Sequence, residues 1–86
     1  MPLTLRIYSK PDCCLCDVAK ERLLELQTEL GFVLEEIDIS TAPELLDRYG
    51  EIIPLVELAG EELCRYRVNR KRIRKRLLAF RREQAS

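Results

Sequence analysis

Three of the chain's four cysteines, Cys13, Cys14 and Cys16, fall within four consecutive positions of the stretch Tyr8-Ser9-Lys10-Pro11-Asp12-Cys13-Cys14-Leu15-Cys16. Cysteines at this density can cross-link, hold a metal or act as a reagent, and spacing decides which pair is competent. A disulfide needs Cα atoms roughly 4.4–6.8 Å apart with converging side chains. Adjacent Cys13 and Cys14 are held at about 3.8 Å, so a bridge between them would be strained. Cys14 and Cys16, two apart on a helix, point to different sides, whereas Cys13 and Cys16, three apart, share a face. The dithiol to consider is therefore Cys13 with Cys16.

Its position supplies reactivity. The residues lie where an apolar strand pattern gives way to a helical one, and a helix N-terminus offers free backbone N–H groups and the positive end of the helix dipole. The dipole contributes roughly 0.3–2 kcal/mol, against about 1.36 kcal/mol for one pKa unit, so a moderately acidic Cys13 is expected. Lys10 and a hydrogen bond from the Cys16 thiol to the Cys13 sulfur would strengthen the effect, while Asp12 and Asp17 oppose it. At the edge of the helix Cys13 is placed to attack a disulfide first, and Cys16, one turn in and more buried, to resolve the mixed disulfide. The competing reading makes both residues small core hydrophobes.

Other chemistries fit less well. The chain contains no histidine, which removes triads, Cys-His dyads and His-ligated metals. Cys16 and Arg22 have the spacing of a phosphatase anion loop, but they lack its glycines and sit inside a periodic helix, where no cradle of N–H groups can form. Zinc prefers two pairs of ligands, and Cys64 alone is a poor second half, so no metal is expected. Cys14 reads as a spectator.

The elements that must position this dithiol are legible in the periodicity. Leu3, Leu5 and Ile7 alternate with Thr4, Arg6 and Tyr8, which is the pattern of a strand. Leu15, Ala19, Leu23, Leu26 and Leu30 then follow at helical steps of three and four, and Gly31 is a natural left-handed cap. A second strand is expected from about Phe32 to Ile39. Thr41-Ala42-Pro43-Glu44 reads as a capping box with proline in the first turn of a short helix that stops near Gly50. Pro54 to Leu58 and Glu62 to Tyr66 read as strands flanking a tight connection at Ala59-Gly60-Glu61. Asn69 can cap a last helix with Ile73, Leu77 and Phe80 on its apolar face. The order β-α-β-α-β-β-α implies an α/β fold: a right-handed parallel crossover, an added antiparallel hairpin, and a four-stranded mixed sheet flanked by helices.

Composition sets the frame. Eighty-six residues, 47% of them hydrophobic, suit a single domain spanning 1–86. The longest clear apolar run, Ile52-Ile53-Pro54-Leu55-Val56, is far short of a membrane span, and the start lacks the layout of a secretion signal. A cytoplasmic location is the expectation, and there cysteines are reduced, catalytic or metal-bound more often than structural. The net charge of zero conceals a polarity: residues 1–64 carry −9 and residues 65–86 carry +9. The two segments should attract each other. Arg70 to Arg82 form a basic helix, but it has no interleaved stacking aromatics beyond Phe80 and the domain has no net positive charge, so nucleic acid is not expected as a partner.

Tyr8-Ser9-Lys10-Pro11-Asp12-Cys13-Cys14-Leu15-Cys16, the Asp38-Ile39 strand end, the Tyr49-Gly50 helix stop and Ile53-Pro54-Leu55-Val56 together resemble the glutaredoxins. The likeness is nearer to the small glutaredoxin-like proteins of the thioredoxin superfamily, and it covers nearly the whole chain. It implies a thioredoxin-like fold in which Ile53-Pro54 is a cis peptide packed against the dithiol, with the Ile53 backbone presented to an extended substrate. On the residues alone, an ordinary trans proline opening an edge strand remains open. The resemblance also has departures. Cys14 and Leu15 replace the usual proline and tyrosine between the cysteines, and the N–H that Cys14 retains offers the thiolate another donor. Cys64-Arg65-Tyr66-Arg67-Val68-Asn69 stands where glutaredoxins hold glutathione with a Gly-Gly stretch and an acidic residue. Arg65, Arg67 or Arg70 would pair with a substrate carboxylate if they lie beside the dithiol; otherwise they form a solvated basic segment.

The reading that results is a monomeric thiol-disulfide oxidoreductase. Cys13 is its nucleophile and Cys16 its resolving thiol, with Lys10, Ile53, Pro54, Arg65 and Arg67 as candidate substrate-binding residues. It needs no bound cofactor, takes a disulfide-containing protein or a glutathione mixed disulfide as partner, and has glutathione as a possible co-substrate. The alternatives are a carrier that binds an iron–sulfur cluster with the help of glutathione, and a thioredoxin-like interaction module with an idle dithiol.

Overall fold

The strand signal around Leu5 and Ile7 becomes β1 (Thr4–Ser9), one of the two interior strands of the sheet. The computed structural model describes residues 3–85; Met1, Pro2 and Ser86, which the expected domain over 1–86 includes, lie outside the described residues. After β1 come α1 (Cys14–Leu30), β2 (Val33–Asp38), a single 3-10 turn at Ile39–Thr41, α2 (Pro43–Tyr49), β3 (Leu55–Leu58), β4 (Glu61–Arg65) and α3 (Arg70–Ala85). The strands form one sheet in the order β2-β1-β3-β4. β1 pairs parallel with β2 and antiparallel with β3, and β4 pairs antiparallel with β3. The crossover and the hairpin are therefore those anticipated from the order of elements. The fold is α/β and thioredoxin-like.

Local chemistry explains most of the boundaries. Gly31 takes φ 69 and its N–H returns to the Gln27 carbonyl at 2.8 Å, closing α1 with a left-handed residue. The β3–β4 loop is only Ala59-Gly60, at φ 51 and 84, two positive angles that match the twist of an antiparallel hairpin. β4 consequently starts at Glu61 and ends at Arg65, one residue ahead of the Glu62 to Tyr66 expected from the pattern. The capping box at Thr41 does not form. The Thr41 hydroxyl donates to the Asp38 carbonyl at 2.8 Å within the 3-10 turn, and α2 starts from Ala42 with no side-chain cap and Pro43 in its first turn. At α3, Asn69 caps as anticipated, its Oδ1 accepting from the Arg72 N–H at 3.1 Å.

Alternation along the strands divides the core into two layers. Leu5, Ile7, Val56 and Leu58 pack with Ala19, Leu23 and Leu26 of α1 and with Ile73 and Leu77 of α3. Tyr8 and Leu55 pack in a second cluster with Cys16, Ile39 and Ile53, against which Leu45 and Tyr49 of α2 rest. The helical stripe of α1 follows the sequence reading from Ala19 to Leu30 and departs from it only at its first position. Cys16, Ala19, Leu23 and Leu26 are its buried residues, while Leu15, expected to lie inward, is 50% exposed. Both registers obey the three-four spacing, and the second apolar cluster accepts Cys16 at the start of the stripe.

The charge polarity is realised as contacts between elements. Arg70 and Arg74 of α3 reach Glu25 and Glu29 of α1 at 2.5 and 2.6 Å, and Arg76 reaches Glu61 of β4 at 2.5 Å. Arg81 donates to the Leu30 carbonyl at the end of α1. The crowding of Arg70, Lys71 and Arg72 at the positive end of α3 is thus offset by the Asn69 cap and the Glu25 carboxylate. No helix among the described residues is long and apolar enough to cross a membrane.

Candidate active site

β1 delivers the chain to a turn at Lys10–Asp12, where Asp12 adopts φ 61, a left-handed conformation that Asp tolerates better than most side chains. Cys13 follows in extended conformation as the N-cap of α1, and its sulfur accepts the Cys16 backbone N–H at 3.2 Å. Sulfur here fills the capping role usually taken by a serine or aspartate oxygen. Cys13 and Cys16 are joined as a disulfide with Cα atoms 5.2 Å apart, within the range the one-turn separation requires.

The two sulfurs differ in access. Cys13 is half-buried, whereas Cys16 is wholly buried against Tyr8, Ile39, Ile53 and Leu55. In this disulfide form the donor to the Cys13 sulfur is the Cys16 main-chain N–H. Cys14 is exposed, and Cys64 is buried in the main core beneath α3. Among the described residues no three His, Cys, Asp or Glu side chains gather as a metal ion would require.

Ile53-Pro54 is cis, and both residues are buried, with Ile53 in the same cluster as Cys13 and Cys16. Sheet pairing of β3 begins at Leu55, so the Ile53 backbone stays outside the ladder, next to the dithiol. The Pro54 carbonyl accepts the N–H of Tyr66 at 2.8 Å, which ties the segment between β4 and α3 to this point.

The basic candidates separate. Lys10 is exposed and makes no hydrogen bond or ion pair among the described residues. Arg65 turns to Glu62 in a two-pronged contact at 2.6 and 2.9 Å, which holds the Glu62 carboxyl below its usual range and the Arg65 guanidinium above its own. Arg67 is the arginine brought beside the first turns of α1, where it lines a cavity of about 220 Å³ with Leu15, Val18, Arg22 and Tyr66.

Three features escaped the sequence reading. Tyr66 is a non-glycine residue at φ 70, with nothing in its type to announce it. Arg22, inside the α1 pattern, donates to the Val68 carbonyl at 3.1 Å across 46 residues. Tyr8 donates to Glu57 at 2.9 Å and stacks on Tyr49 with ring centroids 4.2 Å apart. Burial, and then the Glu57 contact, push the Tyr8 phenol up to about 12. The signal for Tyr8 was available in principle, since the β1–β3 pairing sets it opposite Leu55, two residues along the strand from Glu57 and on the same face.

Residues 4–78 match the family described as Glutaredoxin-like domain (DUF836). An uncharacterized protein of Mycobacterium tuberculosis is 32% identical over 75 residues, covering 81% of this chain and 77% of that one. A protein of Nitrosomonas europaea solved by NMR superposes with a TM-score of 0.74 at 28% identity, over 87% of this chain and 91% of the other. Thioredoxin of Fasciola hepatica shares the fold, with a TM-score of 0.60 at 16% identity over 91% of this chain and 80% of that one.

Proposed function

The chain belongs to the glutaredoxin-like domain family and carries a thioredoxin-type fold, and from that premise, which supports a redox role in general, we propose that it is a thiol-disulfide oxidoreductase. The observation that carries the reading is the asymmetric pair: a half-buried Cys13 capping α1, joined to a fully buried Cys16 one turn deeper. In the reduced form the Cys13 thiolate attacks one sulfur of a substrate disulfide, forming a mixed disulfide and releasing the other sulfur as a thiolate. Cys16 then gives up its proton and attacks the Cys13 sulfur, which frees the second substrate sulfur and leaves the Cys13–Cys16 disulfide. Two electrons pass to the substrate, and a second thiol, glutathione or a protein dithiol, returns them.

The helix N-terminus favours the thiolate at Cys13, and the Cys16 N–H is positioned to stabilise it. Apolar packing around Cys16 keeps it from outside reagents, so it meets only the sulfur bound to its neighbour. The Ile53 backbone, outside the sheet ladder and beside the dithiol, is suited to an extended substrate strand. No bound cofactor is needed.

The test is reduction of a small mixed disulfide with a thiol donor, using Cys13→Ser and Cys16→Ser. Cys13→Ser should abolish turnover, and Cys16→Ser should accumulate a covalent adduct visible as added mass on the protein. Undiminished turnover by Cys13→Ser would end the assignment.

A further inference from the structure

Next to the dithiol three large apolar side chains are exposed around one cavity. Leu15 is 50% exposed, Val18 44% and Tyr66 46%, and together with Arg22, Arg67 and Val68 they line the cavity of about 220 Å³. Leu15 stands between the two dithiol cysteines, and Tyr66 is tied to the Pro54 carbonyl, so both walls of the groove begin at the site. The groove is built as well as open. Tyr66 is held in a left-handed conformation that a large side chain keeps only where its surroundings impose it, and Arg22 fastens the Val68 main chain to α1.

The groove continues from Arg22, Arg67 and Val68 into a shallower hollow of about 460 Å³ bordered by Arg70 and Lys71. Its rim is therefore cationic. Arg65, Arg70, Arg74 and Arg76 each face a glutamate, but Arg67 and Lys71 have no ion-pair partner among the described residues.

We propose that this groove docks the polypeptide around the substrate disulfide, and that it selects a protein segment with an apolar side chain beside its disulfide cysteine and acidic residues beyond. The proposal rests on the oxidoreductase reading and names its substrate class. Leu15, Val18 and the Tyr66 ring take the apolar side chain, while Arg67 and Lys71 take the carboxylates. Glutathione has carboxylates for the rim but no apolar side chain for the floor. Nucleic acid would need stacking platforms, and the floor is mainly aliphatic in a chain of zero net charge.

The experiment uses the full chain and three peptides that differ only in flank, each with leucine beside a cysteine in mixed disulfide with a chromogenic thiol, followed by aspartates, serines or lysines. The glutathione mixed disulfide is a fourth substrate. At low salt, kcat/KM should favour the acidic over the basic peptide by about tenfold, taking a factor of about three for each of two exposed charge pairs, and the preference should shrink in added salt. Arg67→Glu should reverse the order, with Lys71→Glu as the second variant if the first fails to fold. The acidic peptide with serine for cysteine should shift the NMR signals of Leu15, Val18, Tyr66 and Val68. Equal rates on acidic and basic peptides, a glutathione substrate preferred over both, or shifts absent from the groove would each overturn the proposal. If no disulfide of any kind is turned over, the oxidoreductase reading falls, and the NMR titration still decides whether acidic segments dock.

Discussion

Replacing Tyr66 by glycine and, separately, by alanine isolates the backbone conformation that aims its side chain at the groove. Both variants lose the same ring and the same half-buried contacts, so the difference between them lies in φ 70. A residue with a Cβ pays roughly 1–2 kcal/mol for the left-handed region, and glycine, which pays nothing there, costs roughly 0.5–1 kcal/mol through its freer unfolded chain. The balance favours Tyr66→Gly over Tyr66→Ala by about 0.5–1 kcal/mol, the reverse of their order inside a helix. A domain of this size moves by about 4–8 °C in Tm per kcal/mol, so glycine should melt roughly 2–8 °C above alanine. Thermal unfolding followed by circular dichroism at one pH and one salt concentration measures it. An alanine variant melting at or above the glycine variant would refute the account of a conformation imposed by the fold.

Two further outcomes are expected. The Tyr8 phenol, at about 12 in the folded chain against its ordinary 10.0, holds its proton more tightly when folded; its contribution to stability is full below pH 10.0 and is lost as pH rises through about 12. The urea midpoint of the native protein should fall over that interval more steeply than that of Tyr8→Phe, and parallel slopes would remove Tyr8 as the cause. The double variant Glu25→Gln, Glu29→Gln breaks two half-exposed pairs between α1 and α3, each worth about 0.2–1 kcal/mol. Its Tm should drop by about 4–8 °C, for a combined loss near 1 kcal/mol, and the deficit should shrink in 1 M salt, where the Debye length is about 3 Å. A deficit indifferent to salt would mean that packing, not charge, was lost.

What the sequence determined by itself is whatever a residue's near neighbours can express. The alternation around Leu5 and Ile7, the left-handed cap at Gly31, the two-residue hairpin at Ala59-Gly60 and the Asn69 cap each depend on groups within a turn or so of one another. The order of elements, with the rule for parallel crossovers, then leads to the sheet. The Cys13–Cys16 geometry is equally local, because one helical turn sets the separation of the two residues. Even the opposed charges of the two segments foretold their attraction, although not which glutamate each arginine would meet.

The tertiary structure decided the rest. Leu15 and Cys16 are both apolar and adjacent, and which of them is buried at the start of the stripe is set by how α1 lies on the sheet and its second cluster. Thr41 was drawn into the 3-10 turn, where its hydroxyl donates to the Asp38 carbonyl, and α2 starts one residue later from Ala42, out of reach of a Thr41 cap. Arg65 and Arg67, alike on paper, were separated by the end of β4, which turns one toward Glu62 and the other toward the groove. Tyr66 takes its positive φ where β4 ends in a tight turn, the Arg67 N–H returning to the Arg65 carbonyl at 2.8 Å, and its own N–H is held by the Pro54 carbonyl, a partner twelve residues away. Periodicity constrains which residues can share a face, and only packing against distant elements selects the face that is turned to water.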